Sequence, residues 1–324
     1  MMTRTPSQHL RRFSKQLKLG ALFYRLYYAP RGFVTSLMRE GLLDRAINNK
    51  ARAQMERAAY DLNPLPISTA PAFDIHFLTG KRFWYQTCFC AYSMAQYSPI
   101  PLRPVIHDDG SLEQAYQDEL RRIFPNVRII LHSEIKNRIE TDLPIAKFPS
   151  LRERRSNYPH MRKITDIHAG STGWKLVLDS DMLFFRSPTL LTDWLQSPQH
   201  PCHMIDVEPS YGYSRTLMTE LAQASIADQL NVGICGLNSD EIDWEQLEFW
   251  CKTLIEQQGT HYYQEQALVA MLMAGRSCTI APTQDYIVKP DREEAIHPQA
   301  VLHHYVADSK PWYFRYAWKH IAAL

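Results

Sequence analysis

From residue 73 onward, short apolar runs alternate with stretches whose apolar residues recur at helical intervals. Phe73 to Thr79 reads as a first buried strand closed by Gly80, and residues 82–97 as a helix buried on most sides. A second strand at Arg103 to His107 leads through the turn Asp108-Asp109-Gly110-Ser111 into a helix over 112–124, and Val127 to His132 is a third strand. Ser133 is placed to cap the next short helix. Residues 140–157, with Pro144, Pro149 and Arg152-Glu153-Arg154-Arg155, read as an irregular connection, followed by a helix from His160 to His168. A strand from Trp174 then runs through Asp179-Ser180-Asp181 into a second apolar run, Met182 to Phe185.

Ser187-Pro188 predicts the start of a helix over Thr189 to Gln196, the serine as cap and the proline in the first turn. Further strands are expected at Cys202 to Val207, Val232 to Leu237, Ser277 to Ala281 and Ala300 to Tyr305, with helices at 214–224, 244–257 and 264–274. This alternation predicts an α/β fold: a mostly parallel sheet with crossover helices on its faces. Before it, residues 1–66 carry Leu10, Phe13, Leu17, Phe23, Leu26 and Tyr27 at helix-like intervals, ending in Asn63-Pro64-Leu65-Pro66. The expected organisation is a helical N-terminal extension, 1–66, and one α/β domain, 67–324.

Composition adjusts this picture in few places. With 324 residues, 45% of them hydrophobic and 22% charged, the chain can bury a full core. A total charge of +2 argues against a nucleic-acid partner. The charge is uneven, however: residues 1–66 hold 12 Lys and Arg against 4 Asp and Glu, leaving that end at roughly +8 and the rest at roughly −6. Such a surface either packs on the main domain, the ordinary outcome, or makes peripheral contact with anionic lipid headgroups at a membrane face. The six cysteines (Cys88, Cys90, Cys202, Cys235, Cys251, Cys278) show no zinc-type spacing and sit mostly in apolar segments, which predicts buried thiols in a reducing compartment. No apolar run is long enough for a membrane span, so a cytoplasmic location is expected.

The chemistry concentrates around Asp179 and Asp181. Two carboxylates at the end of a buried strand lose several kcal/mol of hydration unless compensated, and a divalent cation such as Mn²⁺ or Mg²⁺ compensates them. Such ions also suit phosphate oxygens, and the edge of an open α/β sheet is where ligands bind. A second stretch, His304-Tyr305-Val306-Ala307-Asp308-Ser309-Lys310-Pro311-Trp312, offers a histidine at a strand end and a lysine six residues on.

That stretch resembles the His-x-x-Gly-x-x-Lys-Pro-Trp signature of the retaining, family-8-like glycosyltransferases of the GT-A fold, with Ala307 in place of the glycine. The resemblance spans residues 73–318. It implies a metal set of Asp179, Asp181 and His304, with Lys310 touching the diphosphate of a nucleotide-sugar donor, a UDP-sugar in most of that family. Other pieces fall in the same order. Phe77-Leu78-Thr79-Gly80 is similar to the strand and turn that meet the nucleoside, with Thr79 and Gly80 as contacts. Arg162 and Lys163 stand where the family has a basic donor contact, and Asn231-Val232-Gly233-Ile234 resembles its asparagine-containing strand beside the sugar. Glu265-Gln266 resembles the acid-glutamine pair of a late helix, which supplies the catalytic candidates. The implied acceptor is a hydroxyl of a glycan, lipid or protein.

Two rivals stand beside this reading. A haloacid-dehalogenase-like phosphatase also puts Asp-x-Asp after an apolar strand, but wants threonine or valine where this chain has Leu183. A non-catalytic sugar-binding protein on the same scaffold is the other. Several residues also admit a bland role: His303 competes with His304, Asp108 and Asp109 fit an ordinary turn better than a ribose contact, and the aromatics after Lys310 fit core packing.

Overall fold

In the computed structural model, residues 42–323 are described. The helical periodicity expected at Leu10 to Tyr27 lies outside the described residues. The chain divides into two units, 1–53 and 54–324. Helix α1 (Leu42–Tyr60) passes through that division.

Within 54–324 the strands are β1 (Phe73–Thr79), β2 (Leu102–Asp108), β3 (Arg128–Ile130), β4 (Trp174–Leu178), β5 (Met182–Phe184), β6 (Cys202–Ile205), β7 (Leu230–Asn238), β8 (Thr279–Ile280), β9 (Tyr286–Val288) and β10 (Leu302–His304). The helices after α1 are α2 (Trp84–Tyr97), α3 (Gln114–Ile123), α4 (His132–Asp142), α5 (Pro149–Asn157), α6 (Met161–His168), α7 (Thr189–Gln196), α8 (Arg215–Ala222), α9 (Trp244–Gln258), α10 (Gln264–Leu272) and α11 (Arg292–Ile296). Helical turns then run on from Lys310 to Ala322.

Seven strands form the main sheet in the order β3-β2-β1-β4-β7-β6-β8. It is mostly parallel, as the alternation of elements predicts; β7 alone opposes its two neighbours, β4 and β6. A smaller sheet, β5-β10-β9, stands beside it. There β10 runs antiparallel to β5, placing His304 opposite Met182. This pairing carries the C-terminal histidine back to the Asp-x-Asp turn, over 120 residues away in the chain.

Two helices show why the core holds. In α2, Trp84 through Met94 are all buried, so it is apolar around its whole circumference; it lies against β1, β5 and the last helical turn. Trp84 and Phe89 are fully buried, each contributing about 2–3 kcal/mol of removed apolar surface. In α10, Gln264 through Met271 are buried against α6, α9 and β7, which draws the polar Glu265 and Gln266 inside with it.

The structure corrects three local expectations and adds one strand. Residues 149–157 form α5 rather than an irregular connection, because the Glu248 carboxylate of α9 accepts the Ser150 and Leu151 N–H groups at 2.8 and 2.9 Å and satisfies the helix start from across the chain. Ser133 lies inside α4; the first N–H, at His132, is met by Asp108 Oδ2 at 3.4 Å. Ser187 does not cap α7, where Pro188 takes the cap position without a side-chain bond. Strand β9 was too short, three residues bounded by Pro282 and Pro290, for periodicity to mark it.

Candidate active site

The Asp179-Ser180-Asp181 turn is held through the Asp179 N–H and all three of its carbonyls. Asp179 N–H donates to Gly233 O at 2.9 Å, and Tyr305 N–H donates to Asp181 O at 2.9 Å. The Cys90 thiol and the Tyr313 hydroxyl donate to the carbonyls of Asp179 and Ser180 at 3.5 and 3.4 Å. Both donors stay protonated, since burial pushes each well above its usual range. The two carboxylates are thus aimed by strands β7 and β10 and by α2 together.

His304 completes a set of three. Ligand atoms of Asp179, Asp181 and His304 all lie within 4.8 Å of one another. His304 Nε2 is 3.7 Å from Asp179 Oδ2 and 3.3 Å from Asp181 Oδ1, near enough for attraction, yet this buried nitrogen has no hydrogen-bond partner. A buried imidazole nitrogen with no hydrogen-bond partner, facing two carboxylates, is an arrangement that suits a divalent cation. The donor set therefore fits a metal. The neighbouring His303 is different in kind: its two nitrogens meet Tyr305 Oη and Glu294 Oε1, both at 2.8 Å, so it is the satisfied core histidine of the pair.

Two lysines flank the carboxylates. Lys310 Nζ reaches Asp181 Oδ2 at 3.1 Å from a side chain 43% exposed. Burial works against ionisation of Asp181, but Lys310 and His304 hold its carboxyl well below the usual range. Lys163 is buried, with Nζ 2.9 Å from Asp179 Oδ1 and 3.3 Å from Glu265 Oε1. Burial opposes its charge; Asp179 and then Glu265 overcome that and hold the ammonium above its ordinary range. Asp179 is the nearer and stronger partner, so Lys163 remains charged whether or not Glu265 carries a proton. Burial pushes the Glu265 carboxyl up to about 7, with Lys163 pulling it back and Asp179 adding to the rise.

The remaining sequence candidates are placed as follows. Gln266, next to Glu265, donates from Nε2 to Asp206 Oδ2 at 3.2 Å. Asn231 Oδ1 accepts from Gly233 N and faces His304 Nδ1, at 2.9 and 3.1 Å, so its side chain stands behind the histidine. Thr79 and Gly80 end β1 at the same sheet edge. The Thr79 hydroxyl is buried and accepts from Thr87 at 2.9 Å, leaving backbone as what this turn presents. A Cβ on Gly80 would fall 1.9 Å from Asp109 Oδ1, so only glycine lets the β2 turn close here. Arg162 spends its guanidinium on the carbonyls of Asp109 and Arg155 at 2.6 and 3.2 Å. Asp108 and Asp109 accept N–H groups of their own turn, which is the ordinary-turn reading. Tyr313, Phe314 and Trp318 are core residues.

Two residues of the site carry no sequence signal of their own. Gly233 is one: a Cβ there would lie 2.5 Å from the His304 ring, so the strand and the imidazole meet only because the side chain is absent. Its position inside the Asn231-Val232-Gly233-Ile234 segment was the available hint. Asp206, just past β6, is the other; a lone aspartate at a strand end looks like any turn acid.

No protein-family model matches the chain, and no curated protein matches it in sequence. Solved structures do. The galactosyltransferase LgtC, in complex with donor and acceptor sugar analogs, is similar over 77% of this chain and 95% of its own, with a TM-score of 0.52 and 18% identity. An active-site mutant of LgtC matches over the same shares, with a TM-score of 0.50. The bifunctional glycosyltransferase WbbM matches over 80% of this chain and 51% of its own, with a TM-score of 0.54 and 11% identity. At these identities the likeness shows the fold, a GT-A type α/β architecture.

Proposed function

We propose that this chain is a metal-dependent glycosyltransferase that moves a sugar from a nucleotide-diphosphate donor, a UDP-sugar, to a hydroxyl of a glycan, lipid or protein, with retention at the anomeric carbon. One observation carries the reading: Asp179, Asp181 and His304, from two distant stretches of a GT-A fold, converge within 4.8 Å with a lysine on either side. Residues 67–324 are its catalytic domain and residues 1–66 a basic extension, acting on the cytoplasmic side. No described helix is long and apolar enough to cross a membrane.

Asp179, Asp181 and His304 would hold Mn²⁺ or Mg²⁺, which when bound supplies positive charge against the oxygens of the donor diphosphate. Lys310 is the diphosphate contact: half-exposed, it exchanges Asp181 for a phosphate oxygen. Lys163 acts mainly by fixing the Asp179 carboxylate. Glu265 and Gln266 face the sugar side, and the backbone of Thr79 and Gly80 meets the nucleoside. The acceptor oxygen forms its bond to the anomeric carbon as the bond from that carbon to phosphate breaks; the electron pair leaves with the diphosphate and the hydroxyl proton follows. Charge developing on the leaving group is met by groups already in place, and that preorganisation supplies much of the rate gain.

The test is Mn²⁺-dependent binding and slow hydrolysis of a panel of nucleotide sugars by wild type and Asp181→Ala. One nucleotide sugar should bind only with metal, and Asp181→Ala should lose that binding. No binding to any member, or equal binding by the variant, sinks the reading.

A further inference from the structure

Two helix starts meet at the Lys163–Glu265 ion pair, and each is preceded by an exposed ring. His160 stands three residues before Lys163, at the start of α6, and Tyr262 three residues before Glu265, at the start of α10. The 3.3 Å contact between Lys163 and Glu265 ties the two helices together there, and the His160 and Tyr262 rings meet edge to face with centroids 5.3 Å apart. Tyr263 continues the row at 5.2 Å from Tyr262, and His261 stacks on Tyr263 at 5.6 Å. All four residues are exposed, Tyr262 to 64%. His160 and Tyr262 both feel the charges of Asp179, Asp181 and Lys310, so the row borders the candidate metal site.

The loop that carries these rings, between α9 and α10, is pinned by its own backbone. The Tyr213 hydroxyl donates to Gly259 O at 3.1 Å, Arg154 donates to His261 O at 3.4 Å, and the Tyr158 hydroxyl donates to Tyr262 O. Gly212 leaves room for the first ring, since a Cβ there would fall 1.8 Å from His261 Nδ1. Holding tyrosine rings in water on a fixed loop orders them in advance, so little freedom is left to lose on binding. Each ring offers a flat apolar face and a polar edge, a phenol hydroxyl or imidazole nitrogens. A pyranose has the matching form, with C–H groups on one face and hydroxyls around its rim. A lipid chain would leave the polar edges unmatched.

We propose that Tyr262 and His160 form the acceptor subsite and stack on a sugar ring, so that among hydroxyl acceptors the chain selects a glycan over a bare lipid or a protein side chain. The inference rests on the glycosyltransferase reading for the reaction, but sugar binding at this row can be measured without donor or metal.

The probes are the methyl glycosides of glucose, galactose, mannose and N-acetylglucosamine, added to the full chain without metal or nucleotide. Saturation-transfer NMR should show at least one of them bound through the C–H protons of one ring face, with the signal lost in Tyr262→Ala and kept in Tyr262→Phe. With Mn²⁺ and the nucleotide sugar that binds, the same glycoside should speed release of the nucleoside diphosphate. Tyr262→Ala or His160→Ala should raise the KM for that glycoside about 10-fold, while affinity for the nucleotide sugar stays within about twofold. No glycoside bound by wild type, or an unchanged KM in both variants, overturns the acceptor subsite and leaves the reading of the metal site standing. Weaker nucleotide-sugar binding with an unchanged glycoside KM also overturns it, because the rings then hold the donor. If no nucleotide sugar binds, the glycosyltransferase reading falls, and the NMR comparison alone decides the row: a glycoside signal lost in Tyr262→Ala upholds a sugar site there, and an equal signal in the variant overturns it.

Discussion

Strand β4 has a buried group of ionisable side chains at each end, and the two behave in opposite ways. At its start Lys175 lies with His76 of β1, His107 of β2 and His168 of α6, an all-basic group. His76 Nδ1 and His107 Nε2 lie at hydrogen-bond distance, 3.1 Å, and His168 meets Ser239 at 2.9 Å. Burial, aided by Lys175, lowers His76 to about 3; burial also holds His107 and His168 well below the usual range and brings Lys175 down to about 8. Asp74, Asp240, Arg103, Arg128 and Arg138 face this group from the surrounding elements, and the nearby cations deepen the loss of charge. Past the other end of β4, Asp179 joins Lys163, Glu265, Asp181, His304 and Lys310, where acids and bases alternate and charge survives burial. The basic group is the deeper of the two, since Asp179, Asp181 and Lys310 are partly exposed; what also differs is whether each charge has an opposite one beside it, and the second arrangement can serve a charged ligand.

Removing Lys163 should break this contrast most severely. Lys163→Ala leaves the buried Glu265 and the part-exposed Asp179 without their cation, an expected loss of about 3 kcal/mol in urea denaturation. Adding Glu265→Gln should return part of it. A loss below about 1 kcal/mol would mean that water already relieves these carboxylates and that the two ends of β4 do not differ as described.

Gly233→Ala strikes the charged end alone. The new Cβ drives into the His304 ring, so stability should drop toward the upper end of the ~1–3 kcal/mol typical of overpacking, and Mn²⁺ titration should show weaker binding. Wild-type Mn²⁺ affinity in this variant would show that the ring moves aside without cost.

Acid separates the two ends by sign. A histidine lowered from 6.5 to about 3 gives stability that is complete above pH 6.5, falls as pH drops, and is gone below about 3; for His76 that is about 2 kcal/mol lost by pH 5. Glu265, raised from 4.5 to about 7, works the other way, favouring the fold below pH 4.5 and losing that contribution as pH rises to about 7. Denaturation midpoints from pH 5 to 7 should therefore rise less steeply with pH in His76→Leu than in wild type, and more steeply in Glu265→Gln. Parallel profiles for all three proteins would refute both assignments.

The smallest effect lies outside both groups. Ala307 has φ of 47°, the left-handed region that favours glycine, at the position where the resembled signature has glycine. Ala307→Gly should add about 0.5–1 kcal/mol by removing that strain, visible as a small rise in Tm. No rise, or a fall, would show that the loop tolerates alanine without strain.

Much of this was legible in the chain. Apolar periodicity marked β1, β2, β4, β5 and β7 and the buried helices α2 and α10, because a strand or helix buried in a sheet must repeat its apolar residues at its own period. The Asp-x-Asp step at the end of an apolar strand, and the resemblance of the His304 to Trp312 stretch to a family signature, marked the charged end. The sequence by itself thus determined the α/β class and most of the residues of the candidate site. Only the tertiary structure decided which of His303 and His304 keeps an unpaired nitrogen, that Lys163 turns inward to Asp179 and Glu265, that Gly233 must lack a side chain, and that Asp206 stands behind Asn231 and Gln266. Each of these depends on strand register, on the bulge of β7 and on contacts between residues far apart in the chain. Local periodicity records which side of an element is buried, but not what it is buried against.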